Sequence, residues 1–293
     1  MKKMISALIG FALLMLAAPR LFAQDAGLYS FDKKISVPGD AGWDYLSIDN
    51  VNHHLFVSHG NSVKVIDLNT ASVIGSIDSL KGVHGIAVAN ELNRGFISDG
   101  RGDAVIAFNL KTLDTIATIH IDGKNPDAIA YDPYTKRVFT FNGRSGNSTV
   151  IDAATLKILG TIDLGGKPEF AVADGKGKIF NNLEDKSSLN VIDTKSMKVI
   201  ANYPLAPCVG PSGLAIDTKN ERLFTACDDS HTLSVVDGNT GKIITSLPIG
   251  NGVDADRYDP STHLVFSSNG EGDVTIIKQE SANSYKIVQT LKT

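Results

Sequence analysis

Residues Gly123–Ile162 read GKNPDAIAYDPYTKRVFTFNGRSGNSTVIDAATLKILGTI. The stretch holds four short β-type runs, each closed by a turn signal. AIAYD is followed by Pro-Tyr-Thr-Lys, VFTF by Asn-Gly-Arg-Ser-Gly and TVID by Ala-Ala-Thr, and LKILGTI runs on to the next Gly-Gly. Val, Ile, Phe and Thr fill the runs, whereas Gly, Pro, Asn and Asp fill the gaps, as strands and hairpins require.

The chain repeats this unit about six times. The residue closing the third run is Asp67, Asn109, Asp152, Asp193, Asp237 and Lys278 in successive copies, at intervals of 42, 43, 41, 44 and 41 residues. The second runs carry a Phe at a fixed place: Phe56, Phe96, Phe139, Phe180, Phe224 and Phe266. Four strands in a period near 42 mark an all-β fold, a β-propeller of four-stranded blades. No window shows apolar residues at helical spacing, which excludes a solenoid of helix pairs.

The expected units are 38–80, 81–122, 123–164, 165–206, 207–249 and 250–293, within a single propeller domain of residues 24–293. Tyr29–Val37 reads as a stray outer strand, and the sixth unit already has its own fourth strand at Tyr285–Leu291. A closed ring of six would leave the N-terminal strand surplus. The adopted expectation is therefore a C-terminally truncated seven-bladed ring, with exposed strand edges.

Residues 1–23 read as a secretory signal peptide. Lys2 and Lys3 precede the apolar run Ile5–Ala18, which is short for a bilayer span, and Leu21-Phe22-Ala23 ends in a small residue. The expected location is periplasmic or secreted, with no membrane insertion after cleavage. Removing this leader leaves 25 Lys and Arg against 32 Asp and Glu, a formal charge of −7. Such a balance disfavours nucleic acid as a partner, since phosphate neutralisation needs clustered bases. In an exported chain the default for Cys208 and Cys227 is one disulfide, with on the order of 3 kcal/mol of stabilisation. A metal-binding or catalytic thiol pair is the alternative.

The segments GWDYLSID, LFVSHG, GVHGIAVA, NPDAIAYDP, KRVFTFNGRSG, GKPEFAVADGKGKI and PSGLAID resemble the YVTN-repeat propellers, specifically the YncE-like exported bacterial proteins. The resemblance covers Tyr29–Thr293. It implies a seven-bladed ring, and among its members DNA binding for some and metal-linked roles for others.

Function is sought where the copies differ. The residue opening each inner strand is Asp44, His84, Asp127, Glu169, Ser212 and Asp254, at intervals of 40, 43, 42, 43 and 42. These equivalent positions are expected to converge at one mouth of the central channel. The second strands end at His59, Asp99, Asn142, Leu183, Cys227 and Asn269, with Arg144 just beyond Asn142. Like charges in a confined mouth repel, and either a bound cation or protonation relieves them. His84, Asp127, Glu169 and Asp254 are the expected metal ligands; oxygen donors suit Ca²⁺, Mg²⁺ or Mn²⁺, and imidazole beside carboxylate also suits Zn²⁺ or Fe²⁺. The competing reading is a wide, water-filled channel that keeps these groups hydrated.

The recurrent Asp67, Asp152, Asp193 and Asp237, with Thr70, Thr112, Thr155, Thr194 and Thr240, read as turn residues. Trp43 either stacks on a ligand or packs between blades. No Gly-x-Ser-x-Gly elbow, His-Glu-x-x-His, phosphate loop or dinucleotide fingerprint occurs. The leading expectation is a monomeric, non-catalytic propeller that binds a protein or small-molecule partner at its channel mouth. The alternatives are a metal-dependent hydrolase resembling gluconolactonase-type propellers and single-stranded DNA binding.

Overall fold

The computed structural model describes residues 27–39 and 42–293; the expected leader lies outside them. Six four-stranded antiparallel sheets follow one another along the chain, each with its strands in sequence order. They form the six blades of an all-β propeller. The inner strands are Trp43–Asp49, Val83–Ala89, Pro126–Asp132, Pro168–Ala173, Pro211–Asp217 and Val253–Asp259. Among the described residues there is no helix long and apolar enough to cross a membrane.

A blade is apolar on both faces and cannot bury them alone, so neighbouring blades supply the cover. Phe56, Phe96, Phe139 and Phe224 have no exposed surface, and Phe180 is nearly as buried. Within each of four blades, the third-to-fourth strand turn is held by a side chain that closes on its own loop. Asp67 Oδ1 accepts the Thr70 N–H at 2.7 Å and its hydroxyl at 2.9 Å, and Asp152 and Asp237 hold Thr155 and Thr240 in the same way. In blade four the hydroxyl comes from Ser196 at 2.7 Å rather than from Thr194. These bonds to the ionised form hold Asp67, Asp152 and Asp193 below the usual carboxylate range.

Inner strands of consecutive blades pack together at five junctions, from blade one through blade six. The junction between blade six and blade one lacks this packing and forms a seam. Leu46 and Ile48, on the blade-one side, are each 52% exposed, whereas Ile86 and Leu214 at the position equivalent to Leu46 are buried. Tyr29–Val37, expected as an outer strand, forms no strand. It is held by side chains instead of a ladder: the Tyr29 N–H donates to Gln289 Oε1 (2.9 Å), and Gln289 Nε2 donates to the Tyr29 carbonyl (2.7 Å). The Tyr29 ring meets Phe266 of blade six edge-on at 5.4 Å. Among the described residues there are six blades and no part of a seventh.

Cys208 and Cys227 are joined by a disulfide, with Cα atoms 5.5 Å apart. It ties the entry of the blade-five inner strand to the end of its second strand.

The repeated Phe is the largest apolar group in each blade. Phe139→Ala should cost about 3–5 kcal/mol through lost transfer energy and the cavity left behind. Urea unfolding of the variant measures this, and a loss below about 1 kcal/mol would mean the blade is not packed as described.

Candidate functional site at the channel mouth

All six inner strands slip register against their second strands near their first residues. In blade one, Trp43 pairs with His59 and Leu46 with Val57, so Asp44 and Tyr45 together face Ser58. In blade three, Pro126 pairs with Asn142 and Ile129 with Thr140, which leaves Asp127 and Ala128 opposite Phe141. Such a bulge bends the strand and re-aims a side chain that would otherwise join the ladder. The bulge is why the six equivalent residues leave the blade plane.

Hydrogen bonds between blades then fix the bulges. The Gly85 N–H donates to Ser98 Oγ (2.8 Å), and the Ser98 hydroxyl donates to the main-chain carbonyl of Asp127 in the next blade (2.5 Å). Gly85 has no room for a side chain, since a Cβ there would sit 2.8 Å from Ile129. Asn182 Nδ2 donates to the Ser212 and Gly213 carbonyls, each at 3.0 Å, and the Ser212 hydroxyl donates to the Asp254 carbonyl (3.1 Å).

Three of the six mouth residues meet. His84 Nδ1 stands 2.6 Å from Asp44 Oδ2 and 3.6 Å from Asp127 Oδ1, and one ligand atom from each residue lies within 4.8 Å of the others. Their side chains keep 27%, 29% and 25% of their surface. A cavity of about 230 Å³, lined in part by Trp43, Asp44, His84 and Arg101, gives solvent access to Asp44 and His84.

The other expected ligands are placed differently. Glu169 pairs with Lys167 Nζ at 2.9 Å, and Lys167 also contacts Glu184. Asp254 lies apart from the cluster, and Ser212 spends its hydroxyl on the Asp254 carbonyl. The second-strand ends serve the blades. Asp99 Oδ1 accepts the Lys81 and Gly82 N–H groups (2.9 and 2.8 Å). Asn142 Nδ2 donates to Asn147 (2.8 Å) and Thr149 (3.1 Å), and Asn269 Nδ2 donates to Asp273 (2.7 Å) and Thr275 (3.0 Å). His59 is buried, with the exposed Trp43 edge-on at 4.5 Å. Arg144 is exposed. Leu183 is buried in the core.

The channel is not an open water-filled pore at this level. Tyr45 of blade one reaches across to stack on Phe170 of blade four, with ring centres 4.4 Å apart, and Arg257 lies 6.0 Å from the same Phe170 ring centre. Sequence reading missed Tyr45, Phe170 and Arg257. Five inner strands carry Ser, Ala or Val where blade six carries Arg257, and that departure was the available signal.

No protein-family model matches the chain. No curated protein matches it in sequence. Among solved structures, the chain is similar to Kuenenia stuttgartiensis hydrazine synthase, with a TM-score of 0.60 at 15% identity, over 86% of this chain and 99% of that one. It is also similar to U3-55K, with a TM-score of 0.77 at 9% identity, over 87% of this chain and 83% of that one. At these identities the likeness shows the β-propeller fold alone.

Confinement sets the electrostatics. Burial, opposed by His84 and reinforced by Asp44 and Asp254, raises Asp127 to about 6. Burial raises Glu169 to about 7 despite the Lys167 contact. Burial, then the Asp44 charge, raises Asp254. The hydrogen bond to Asp44, and then the Asp127 charge, raises His84 above its usual range. The Tyr45 phenol is raised well above its usual value by burial and then by Asp127, Asp44, Glu169 and Asp254, which places it among the four acids.

The folded state thus holds protons at Asp127 and Glu169 more tightly than the unfolded chain does. Their contribution to stability is greatest below about pH 4 and is lost as pH rises to 6–7; His84 loses its contribution above its unfolded value of 6.5. The turn aspartates act oppositely, losing stability as pH falls below 3.8. In EDTA the melting temperature should therefore be higher at pH 5 than at pH 8, and Asp127→Asn should flatten that slope. A slope unchanged in Asp127→Asn would exclude the mouth acids as its source.

Proposed function

We propose that this protein is an exported, non-catalytic binding propeller of the YncE-like kind that holds a divalent cation at its channel mouth through Asp44, His84 and Asp127. The observation that carries the reading is the convergence of two carboxylates and one imidazole from three consecutive blades within 4.8 Å. The bulges that carry His84 and Asp127 are tied to each other through Ser98, and the Ser58 hydroxyl holds the Asp44 bulge through the Tyr45 carbonyl, so the donors are positioned before any ion arrives. In the absence of an ion, His84 Nδ1 hydrogen-bonds Asp44 at 2.6 Å and stands 3.6 Å from Asp127; a cation bound among the three would offset the burial and the neighbouring Asp44 and Asp254 charges that raise Asp127. A mixed nitrogen and oxygen set suits Mn²⁺, Zn²⁺ or Fe²⁺ better than Ca²⁺, which takes six or more oxygens. Export is supported by the basic and apolar N-terminus and by the Cys208–Cys227 disulfide, which needs an oxidising compartment.

A second reading, a metal-dependent hydrolase, draws on Asp127 at about 6 and Glu169 at about 7, values suited to proton transfer near neutral pH. In that case the ion would polarise a carbonyl and one of the carboxylates would act as base.

At a hundredfold excess over its dissociation constant, an ion should stabilise the protein by about 2.7 kcal/mol. Differential scanning fluorimetry at pH 7.5 with Mn²⁺, Zn²⁺, Fe²⁺ and Ca²⁺ measures this shift, which His84→Ala and Asp44→Asn should each abolish. If no ion shifts melting, and elemental analysis finds no stoichiometric metal, the cation reading fails. Turnover of a lactone and ester panel that needs both the ion and Asp127 would favour the hydrolase.

A further inference from the structure

Blade six breaks the repeat at two successive inner-strand positions. Where the other strands carry Leu46, Ile86, Ile129, Ala171 and Leu214, it carries Asp256. At the next position Arg257 replaces Ser, Ala or Val. Asp256 is fully buried, and no hydrogen bond of ordinary geometry reaches its carboxylate. Arg257 turns into the seam between blades six and one. Its guanidinium donates to main-chain carbonyls, those of Asp256 (3.2 Å) and Leu46 (3.3 Å). Among the described residues no carboxylate stands within 4.0 Å of it. A guanidinium keeps its charge at every accessible pH and carries five donors in a fork that matches a carboxylate. Among the described residues this one has no such partner.

A cavity of about 340 Å³ opens at that place. Tyr45, Leu46, Phe170 and Phe266 line it, and Arg257 and Asp254 supply charges of opposite sign. Asp44 also reaches the cavity, but its carboxylate is engaged by His84. The Asp254 side chain has no hydrogen-bonding or ionic partner among the described residues; only its main-chain carbonyl is used. Among the described residues the cavity thus presents one cation and one anion, with no salt bridge between them within 4.0 Å, over aromatic walls. Its volume stands at the low end for small-molecule sites, which fits a ligand smaller than a nucleotide or an oligosaccharide.

We infer that the seam cavity binds a free α-amino acid with an apolar side chain. The ligand carboxylate takes the Arg257 fork, its ammonium meets Asp254, and its side chain packs on Leu46 and Phe266. This complementarity relies on the two charges being separated. Asp254 and Arg257 are both solvent-exposed; a simple carboxylic acid would forgo the Asp254 contact and a simple amine the Arg257 contact, so each half of the zwitterion binds more weakly than the whole. Asp44 borders both this cavity and the Asp44–His84–Asp127 cluster, but the inference uses the Arg257 and Asp254 side chains and does not rest on the cation reading.

Isothermal titration of the full chain in EDTA with L-phenylalanine, L-leucine, 3-phenylpropionate and phenethylamine tests this. One site per chain is expected for the two amino acids, with each half-ligand at least ~10-fold weaker than phenylalanine. Arg257→Ala should fold normally, because Ala87, Ala130 and Ala215 occupy the equivalent place, and it should weaken phenylalanine at least ~10-fold. Asp254→Asn should do the same. The inference is overturned by absence of amino-acid binding, by 3-phenylpropionate or phenethylamine binding as well as phenylalanine, or by affinity that is unchanged in Arg257→Ala. Should Arg257→Ala not fold, Arg257→Gln takes its place, and the ligand panel on the unaltered chain decides independently.

Discussion

Each blade has two apolar faces and can hide them only against its neighbours. Everything else in the molecule follows from that demand. It places a bulky Phe in the middle of every second strand and keeps Gly or Ala on several inner strands where backbones approach closely. It also makes the seam exceptional. Where blade six meets blade one, Leu46 and Ile48 keep about half their surface, Phe266 packs against Tyr29, and a cavity stays open. A regular ring would have no such cavity. The irregular junction is where the chain has put a charged pair of residues that no other blade carries.

The mouth owes its chemistry to the same stacking. Bulges at the start of the inner strands push equivalent residues out of six ladders toward one axis, and the stacked blades bring them within a few ångströms. Four of these six are acids. Their proximity, together with the Tyr45–Phe170 stack that closes the channel behind them, removes water and raises Asp127, Glu169 and Asp254 together. Neutral carboxyls or a bound cation are the two ways to lower that energy. A mouth of this kind is sensitive to pH and to metal through one physical cause.

The repeat period, the strand runs and the turn aspartates were legible because they are local. Alternation of apolar and polar residues declares a strand within six residues, and Asp67 closes on Thr70 three residues later. The equivalence of Asp44, His84, Asp127, Glu169, Ser212 and Asp254 was legible as well, since it needs only the period. Roles for His59, Asp99, Asn142 and Asn269 were not. Spacing put them near the mouth, but each could satisfy its polar atoms within its own blade or the adjoining turn, or be buried there, and the structure resolves each in that way. Arg257 could have been flagged from the aligned copies, although not the cavity it faces.

The sequence by itself determined that this chain is a propeller of four-stranded blades, and which positions of the blades are equivalent. It could do so because period-two alternation and a period near 42 act between close neighbours. Only the tertiary structure decided that Asp44, His84 and Asp127 meet while Glu169 pairs with Lys167, and that Arg257 has no counterion among the described residues. Those outcomes depend on side chains from blades 40 or more residues apart, and on how the last junction of the ring packs, neither of which leaves a trace in a single repeat.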